Sequence, residues 1–315
     1  MTPRRYRAFG RLVESDHPLA ELHEAAADGT PAEWRLVSLP GTPPEVPGAT
    51  RIGTEDVAYG ATVTLDLLGP GAYRLTYTDS GTFDLSAASG EIRWWPGAGC
   101  DHDLASMDIL GRVMATMLHA EGAVTLHASA VAIDGSAIGF MAPKFTGKST
   151  LAAAMTYEGA QLVSDDALAI LPGSPIRVVP GVPSVRLRQE SAAHFPRTRD
   201  LRAPDLPRWR VVDTMHGDQV ASQPLPLAAL YVIASKAPEE ATVPVRRVAL
   251  GSIDAIIALS HFAKMGALLG DREGQRHVSR VVDVVASVPV YTLELVRDLQ
   301  QLQAASHEIA AWHRA

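Results

Sequence analysis

The sequence predicts an α/β fold with a β-rich N-terminal region. Three observations predict it. Residues 1 to about 100 are rich in Gly, Pro and Thr and carry short runs of alternating apolar and polar residues. The middle of the chain places two apolar runs around Asp134-Gly135, then Gly147-Lys148-Ser149-Thr150, then an Ala-rich helical pattern and a further strand. The C-terminal third alternates apolar strands with helix-spaced apolar residues. These shifts divide the chain at residues 1–104 and 105–315. The 315 residues, 47% of them hydrophobic and 20% charged, suffice for a sizeable core.

Taken in order, "ATVTLDLL", "AYRLTYT" and "GEIRWW" are bounded by Gly, Pro or Asp and read as short antiparallel strands. "ESDHPLAELHEAAAD" reads as a short helix or a turn. Asp101, His102 and Asp103 read as a solvated loop, because neighbours on an extended chain face different ways. No catalytic constellation stands out in these first hundred residues. "SMDILGRVMATMLHAEG" has the spacing of an amphipathic helix, with Ser106 as N-cap and Gly122 as C-terminal stop. Asp134-Gly135 is a strong hairpin signal. "KSTLAAAMTYEG" predicts a helix closed near Gly159, and "AQLVSDDALAILPG" a strand, two aspartates and a second strand. Residues 172–226 read as loop-rich with a short helix near "QESAAHF". "LAALYVIAS" and "PVYTLEL" read as strands, and "GSIDAIIALSHFAKM", "EGQRHVSRVVDVVASV" and "RDLQQLQAASHEIAAWHR" as helices.

Composition narrows the function. The net charge of −7 argues against nucleic acid or an anionic membrane as partner. A single cysteine, Cys100, excludes an internal disulfide framework and a cysteine-built metal cluster. The first residues are basic without an apolar stretch, unlike a secretory signal, and no run of about 18 apolar residues exists to span a membrane. A cytoplasmic protein is expected.

The chemistry concentrates in "GFMAPKFTGKSTL", Gly139 to Leu151. A strand followed by a curled loop and a helix N-terminus aims backbone N–H groups at anionic oxygens. Pro143, Lys144, Phe145, Thr146, Gly147, Lys148, Ser149 and Thr150 form the expected nucleotide-binding loop. In that pattern Lys148 reaches the β- and γ-phosphates and the Ser149 hydroxyl binds Mg²⁺. The pattern asks for glycine at 142, where the chain has Ala142. That alanine fits if its φ is negative and is strained if φ is positive. Asp165 and Asp166 follow Lys148 by 17 and 18 residues, the length of a helix, a turn and a return strand. Strand C-termini and phosphate loop share one sheet edge in such folds, so one carboxylate is expected to hold Mg²⁺ and the other to take a hydroxyl proton. His127, on an apolar run beside the loop strand, reads on position alone as a core residue.

"LHASAVAIDGSAIGFMAPKFTGKSTLAAAMTYEGAQLVSDDALAI" resembles the catalytic domain of bacterial HPr kinase/phosphorylase and its shorter relatives. A His-bearing strand, hairpin, Walker-A loop, helix and Asp-Asp pair follow in that order in the family. The similarity is dense from Leu110 to Leu187, includes "PGVPSVRLR", and thins beyond. The resemblance implies a P-loop kinase core of the type shared with phosphoenolpyruvate carboxykinase, and it implies ATP and Mg²⁺. It implies phosphate and metal binding by Gly147, Lys148, Ser149 and Thr150. Asp165 matches the family's proposed general base, Asp166 its partner near the metal with Ser149, and His127 the histidine beside the pair. The family's oligomers imply a homo-oligomer here. Two departures stand out: Ala142 replaces a glycine, and the glycine-rich signature that follows the core of the full enzyme is missing. The arginine-rich stretch from Arg197 to Arg210 occupies a comparable place.

The resulting expectation is an ATP- and Mg²⁺-dependent kinase of a hydroxyl, with Ser or Thr of a peptide or protein as acceptor. Some relatives phosphorylate a ribosomal peptide precursor. Two alternatives stay open: a kinase of a small-molecule hydroxyl, and a nucleotide-binding regulatory protein with weakened catalysis.

Overall fold

Two large sheets, a two-stranded ribbon and a buried helical run make up the frame of the described residues. The computed structural model describes residues 2–57, 60–195, 210–236 and 243–314. Alternating burial builds the N-terminal sheet from β1 (Arg4–Ala8), β2 (Arg11–Ser15), β3 (Trp34–Ser38), β4 (Thr50–Asp56), β5 (Thr62–Gly69), β6 (Ala72–Tyr77), β7 (Gly81–Ser86) and β8 (Glu91–Trp95). Along β6, for example, Tyr73, Leu75 and Tyr77 face the core and their neighbours do not. The strand order is β1-β2-β3-β8-β7-β6-β5-β4. Pairing is antiparallel as expected except at β2–β3 and β3–β8, which are parallel. In the "ESDHPLAELHEAAAD" stretch Glu14 and Ser15 end β2, and the rest runs through bends, turns and an isolated bridge from Glu24 to Tyr6, without helix.

The helix that follows begins earlier than expected. Asp101, not Ser106, is its N-cap, with the carboxylate accepting from the Asp103 and Leu104 N–H groups. Helix α1 (His102–Asp108) runs through a π-helical turn, Ile109–Val113, into α2 (Met114–Ala120), and Gly122 ends the run at φ +97°. Its second half is buried all round rather than amphipathic. It shares one apolar core with Trp34, Leu36, Val63 and Leu75 of the N-terminal sheet and with Ala167, Ala169, Val179 and Val182.

The second sheet holds β9 (Val124–Leu126), β10 (Ala128–Ile133), β11 (Ser136–Met141), β12 (Gln161–Ser164), β13 (Leu168–Leu171), β14 (Arg177–Val179), β17 (Leu225–Lys236), β18 (Val245–Ala249) and β19 (Val290–Val296). Strands β15 (Ser184–Arg188) and β16 (Arg210–Thr214) form a separate ribbon. Strand β17 lies parallel to β11 and β19, and its first residues also pair with β14. Helices α3 (Lys148–Tyr157), α4 (Gln189–Ala192), α5 (Ser252–His261), α6 (Asp271–Ser287) and α7 (Leu302–Ala311) complete the chain. The result is a mixed α/β architecture of large mixed sheets with a β-rich N-terminal region. Among the described residues, no helix is long and apolar enough to cross a membrane. Of the arginine-rich stretch, residues 197–209 lie outside the described residues.

Candidate active site

The hairpin sets the site's register. Asp134 and Gly135 take φ of +46° and +77°, as a two-residue primed turn requires. The pairing that follows puts Met141 opposite Ala128, so the loop leaves β11 beside His127. His127 sits at the break between β9 and β10, with its N–H bonded to the Phe262 carbonyl.

The loop between β11 and α3 curls with its left-handed residues at Phe145 (φ +68°) and Gly147 (φ +106°). Ala142 has no positive φ and is fully buried in the core under α3, so no glycine is needed there. Phe145 is 48% exposed, with the Arg188 guanidinium 5.0 Å from its ring centre. The N–H groups of Lys144 and Gly147 have no hydrogen-bond partner among the described residues. The Lys148 ammonium folds back along the loop, donating to the carbonyls of Ala142 (2.7 Å) and Pro143 (3.3 Å) and to His127 Nε2 (3.4 Å). An ammonium only donates, so Nε2 accepts and Nδ1 carries the ring proton.

The two aspartates follow β12 and occupy different environments. Asp165 is 5% exposed. Its Oδ1 accepts from Ser129 Oγ (2.5 Å) and Ser149 Oγ (2.9 Å), and its Oδ2 from the Arg186 N–H (3.1 Å). Asp166 adopts φ +67°, a left-handed conformation that neighbouring groups hold in place. Lys264 Nζ reaches its Oδ2 at 2.6 Å and its carbonyl at 3.2 Å, and His127 Nδ1 donates to its Oδ1 at 3.0 Å. Arg186 stands 3.8 Å away and is itself paired with Glu21 of the N-terminal region at 2.7 Å. Burial pushes the Asp166 carboxyl up, but Lys264, the bond from His127 and Arg186 outweigh it and hold the group well below the carboxylate range. Burial pulls the Lys264 ammonium down, against the opposing field of Asp166. Ser149 thus lies on Asp165, whereas the sequence reading paired it with Asp166 for a metal.

Except for Ser129 and Glu21, these groups line one cavity of about 820 Å³ at the carboxyl edge of β11, β12 and β19. The loop from Ala142 to Thr150, with Arg186, Arg188 and the Leu295–Leu302 segment, forms one half. Glu55, Asp56, Val57, Asp79, Asp108, Gly111, Arg112 and Lys264 wall the other. The N-terminal region, which showed no constellation as sequence, therefore supplies a wall of the cavity. Lys264, Arg186 and Ser129 also escaped sequence reading. Lys264 lies 98 positions from Asp166 with no motif to mark it, whereas Arg186 and Ser129 stand inside the stretches that carry the resemblance without having been singled out. No family model and no curated protein matches the chain. Among solved structures, the HPr(Ser) kinase/phosphatase from Coxiella burnetii shows a weak likeness: 13% identity and a TM-score of 0.31, over 60% of this chain and 98% of that one.

Proposed function

We propose that the chain is a phosphotransferase that moves the γ-phosphoryl group of ATP, with Mg²⁺, onto a hydroxyl. The observation that carries the reading is the Ser149–Asp165 contact beneath a strand–loop–helix turn, with Asp166 facing the same cavity. The donor set fits both groups. Loop N–H groups, Lys144, Lys148 and Arg188 suit a polyanion, and the hard oxygens of Ser149 and Asp165 suit Mg²⁺. The metal would neutralise charge on the transferring phosphoryl group. Lys148 would turn from the loop carbonyls to the phosphates, a rotation of its flexible stem.

The contacts favour exchanging the roles expected for the two aspartates. Asp165, bound to Ser149, is the metal-side carboxylate. Asp166, 32% exposed and facing the cavity, orients the hydroxyl and receives its proton. His127 fixes Asp166 and joins it to Lys148. Residues 1–104 and 105–315 act together in this reading. Ser or Thr of a peptide or protein, a ribosomal peptide precursor included, is the proposed acceptor class, in a cytoplasmic homo-oligomer.

The test uses labelled ATP and two variants. Asp166→Asn is expected to bind nucleotide as the wild type does and to lose transfer by about 100-fold or more. Asp165→Asn is expected to need a higher Mg²⁺ concentration. Undiminished turnover in Asp166→Asn would sink its role, and a wild type that binds no nucleotide would sink the whole reading.

A further inference from the structure

The cavity has two electrical halves. Lys144, Lys148, Arg186, Arg188 and Arg297 line the loop half, where Glu190 and Asp298 are the carboxylates beside the site's own Asp165. Four carboxylates face the other: Glu55, Asp56, Asp79 and Asp108. Of these, Glu55 is paired with Arg112 at 2.8 Å. The remaining three have no ion pair among the described residues and accept only from neutral donors. Asp56 accepts from Thr62 Oγ1 at 3.0 Å, Asp79 from the Ser80 N–H at 2.9 Å, and Asp108 from Ser80 Oγ at 2.5 Å. Among the described residues, the cations on this side are committed, Arg112 to Glu55 and Lys264 to Asp166. A nucleotide triphosphate is repelled from such a wall and drawn to the loop half.

Between the halves stands Gly111, in the π-helical turn. A Cβ at this position would lie 3.7 Å from Asp166 Oδ2 and 3.8 Å from Lys264 Nζ, in ordinary contact with both. Gly111 is itself buried and lines the cavity, so the absent side chain keeps that stretch of the wall low beside Asp166. π-helical turns recur where a helix must present residues to a site. Here the turn brings Asp108, Gly111 and Arg112 together on the cavity wall.

We propose that the acceptor enters beside Gly111, between the π-helical turn and the end of β4 at residues 55–57, and that it is a hydroxyl compound carrying a positive charge. This rests on the phosphotransferase reading. The acceptor oxygen attacks the γ-phosphorus, the bond from that phosphorus to the β,γ-bridging oxygen breaks, ADP leaves with the electron pair, and the hydroxyl proton passes to Asp166. The acidic wall holds an ammonium or guanidinium group, which places the hydroxyl over Gly111. Gly111 is then a specificity-determining residue and Asp108 a positioning one. An amino alcohol and a Ser or Thr side chain beside Lys or Arg share this chemistry.

The test is a charge series of acceptors with labelled ATP. One arm uses free amino alcohols and their N-acetyl forms. The other uses Ser and Thr peptides with Lys, Gln or Glu at neighbouring positions. Cationic members are expected to exceed neutral isosteres in kcat/KM by about tenfold or more, through KM, and the better arm identifies the source. Asp108→Asn should shrink that preference, Asp108→Glu should keep most of it, and Asp108→Lys should turn it toward Glu peptides. Gly111→Val should cut transfer about tenfold or more with nucleotide affinity unchanged, and Gly111→Ala should fall between. Nucleotide affinity and melting temperature verify that each variant folds. Equal kcat/KM across the charge series, or full transfer by folded Gly111→Val, overturns the acceptor site and leaves the kinase reading standing. Nucleotide binding without transfer to any member overturns both.

Discussion

Asp108 shows how one residue can carry a cost that a ligand would relieve. Burial pushes its carboxyl up to about 6, and Asp79 adds to the rise, against the bond from Ser80 and the fields of Arg112 and Lys264. A carboxyl raised in the folded state binds more protons there than in the unfolded chain between about 4 and 6. Stability from this group is therefore greatest below that window and is lost as pH rises through it. Asp108→Asn is expected to stabilise the fold at pH 8 by about 1–2 kcal/mol, allowing for solvent screening, and to change little near pH 4. Urea denaturation at the two pH values checks the sign. A gain of equal size at both would assign the effect to packing.

The loop between β11 and α3 shows the same economy at the level of an element. The expected glycine position is a buried alanine with ordinary backbone, and the left-handed conformations fall at Phe145 and Gly147. Restoring the pattern with Ala142→Gly should remove a buried methyl group and loosen the unfolded chain. We expect a loss of about 1–2 kcal/mol and no gain in nucleotide affinity. Isothermal titration and thermal melts separate the two quantities. This loop, its hairpin and the Asp-Asp pair were legible in the sequence because each is local. Dihedral needs, turn residues and a short helix lie within a few dozen positions. The site's remaining parts were illegible for the opposite reason. Lys264 meets Asp166 across 98 positions, and Glu21 meets Arg186 across 165. The parallel pairs β2–β3 and β3–β8 hid in the same way, because alternation marks a strand and not its partner.

At the scale of the whole molecule, the N-terminal sheet is fastened to the segment that follows Lys264. A Cβ on Gly53 would overlap the Leu268 carbonyl, and one on Gly270 would come 2.7 Å from the Ile52 carbonyl oxygen. Only glycine lets the two backbones come this close. Gly53→Ala is expected to cost about 2 kcal/mol or more and to move the β4 rim away from the cavity. Acceptor KM should rise while ATP affinity holds, and a variant whose acceptor KM is unchanged would separate the rim from recognition. The pair between Glu21 and Arg186 then has a thermodynamic meaning. Arg186 touches the N-terminal region at one end and approaches Asp166 at the other, so docking of that region and charge in the cavity draw on a shared guanidinium. Free energies coupled in this way are reciprocal. An occupant that shifts the seating of the N-terminal sheet through Arg186 has its own affinity shifted by the same factor when that seating is changed.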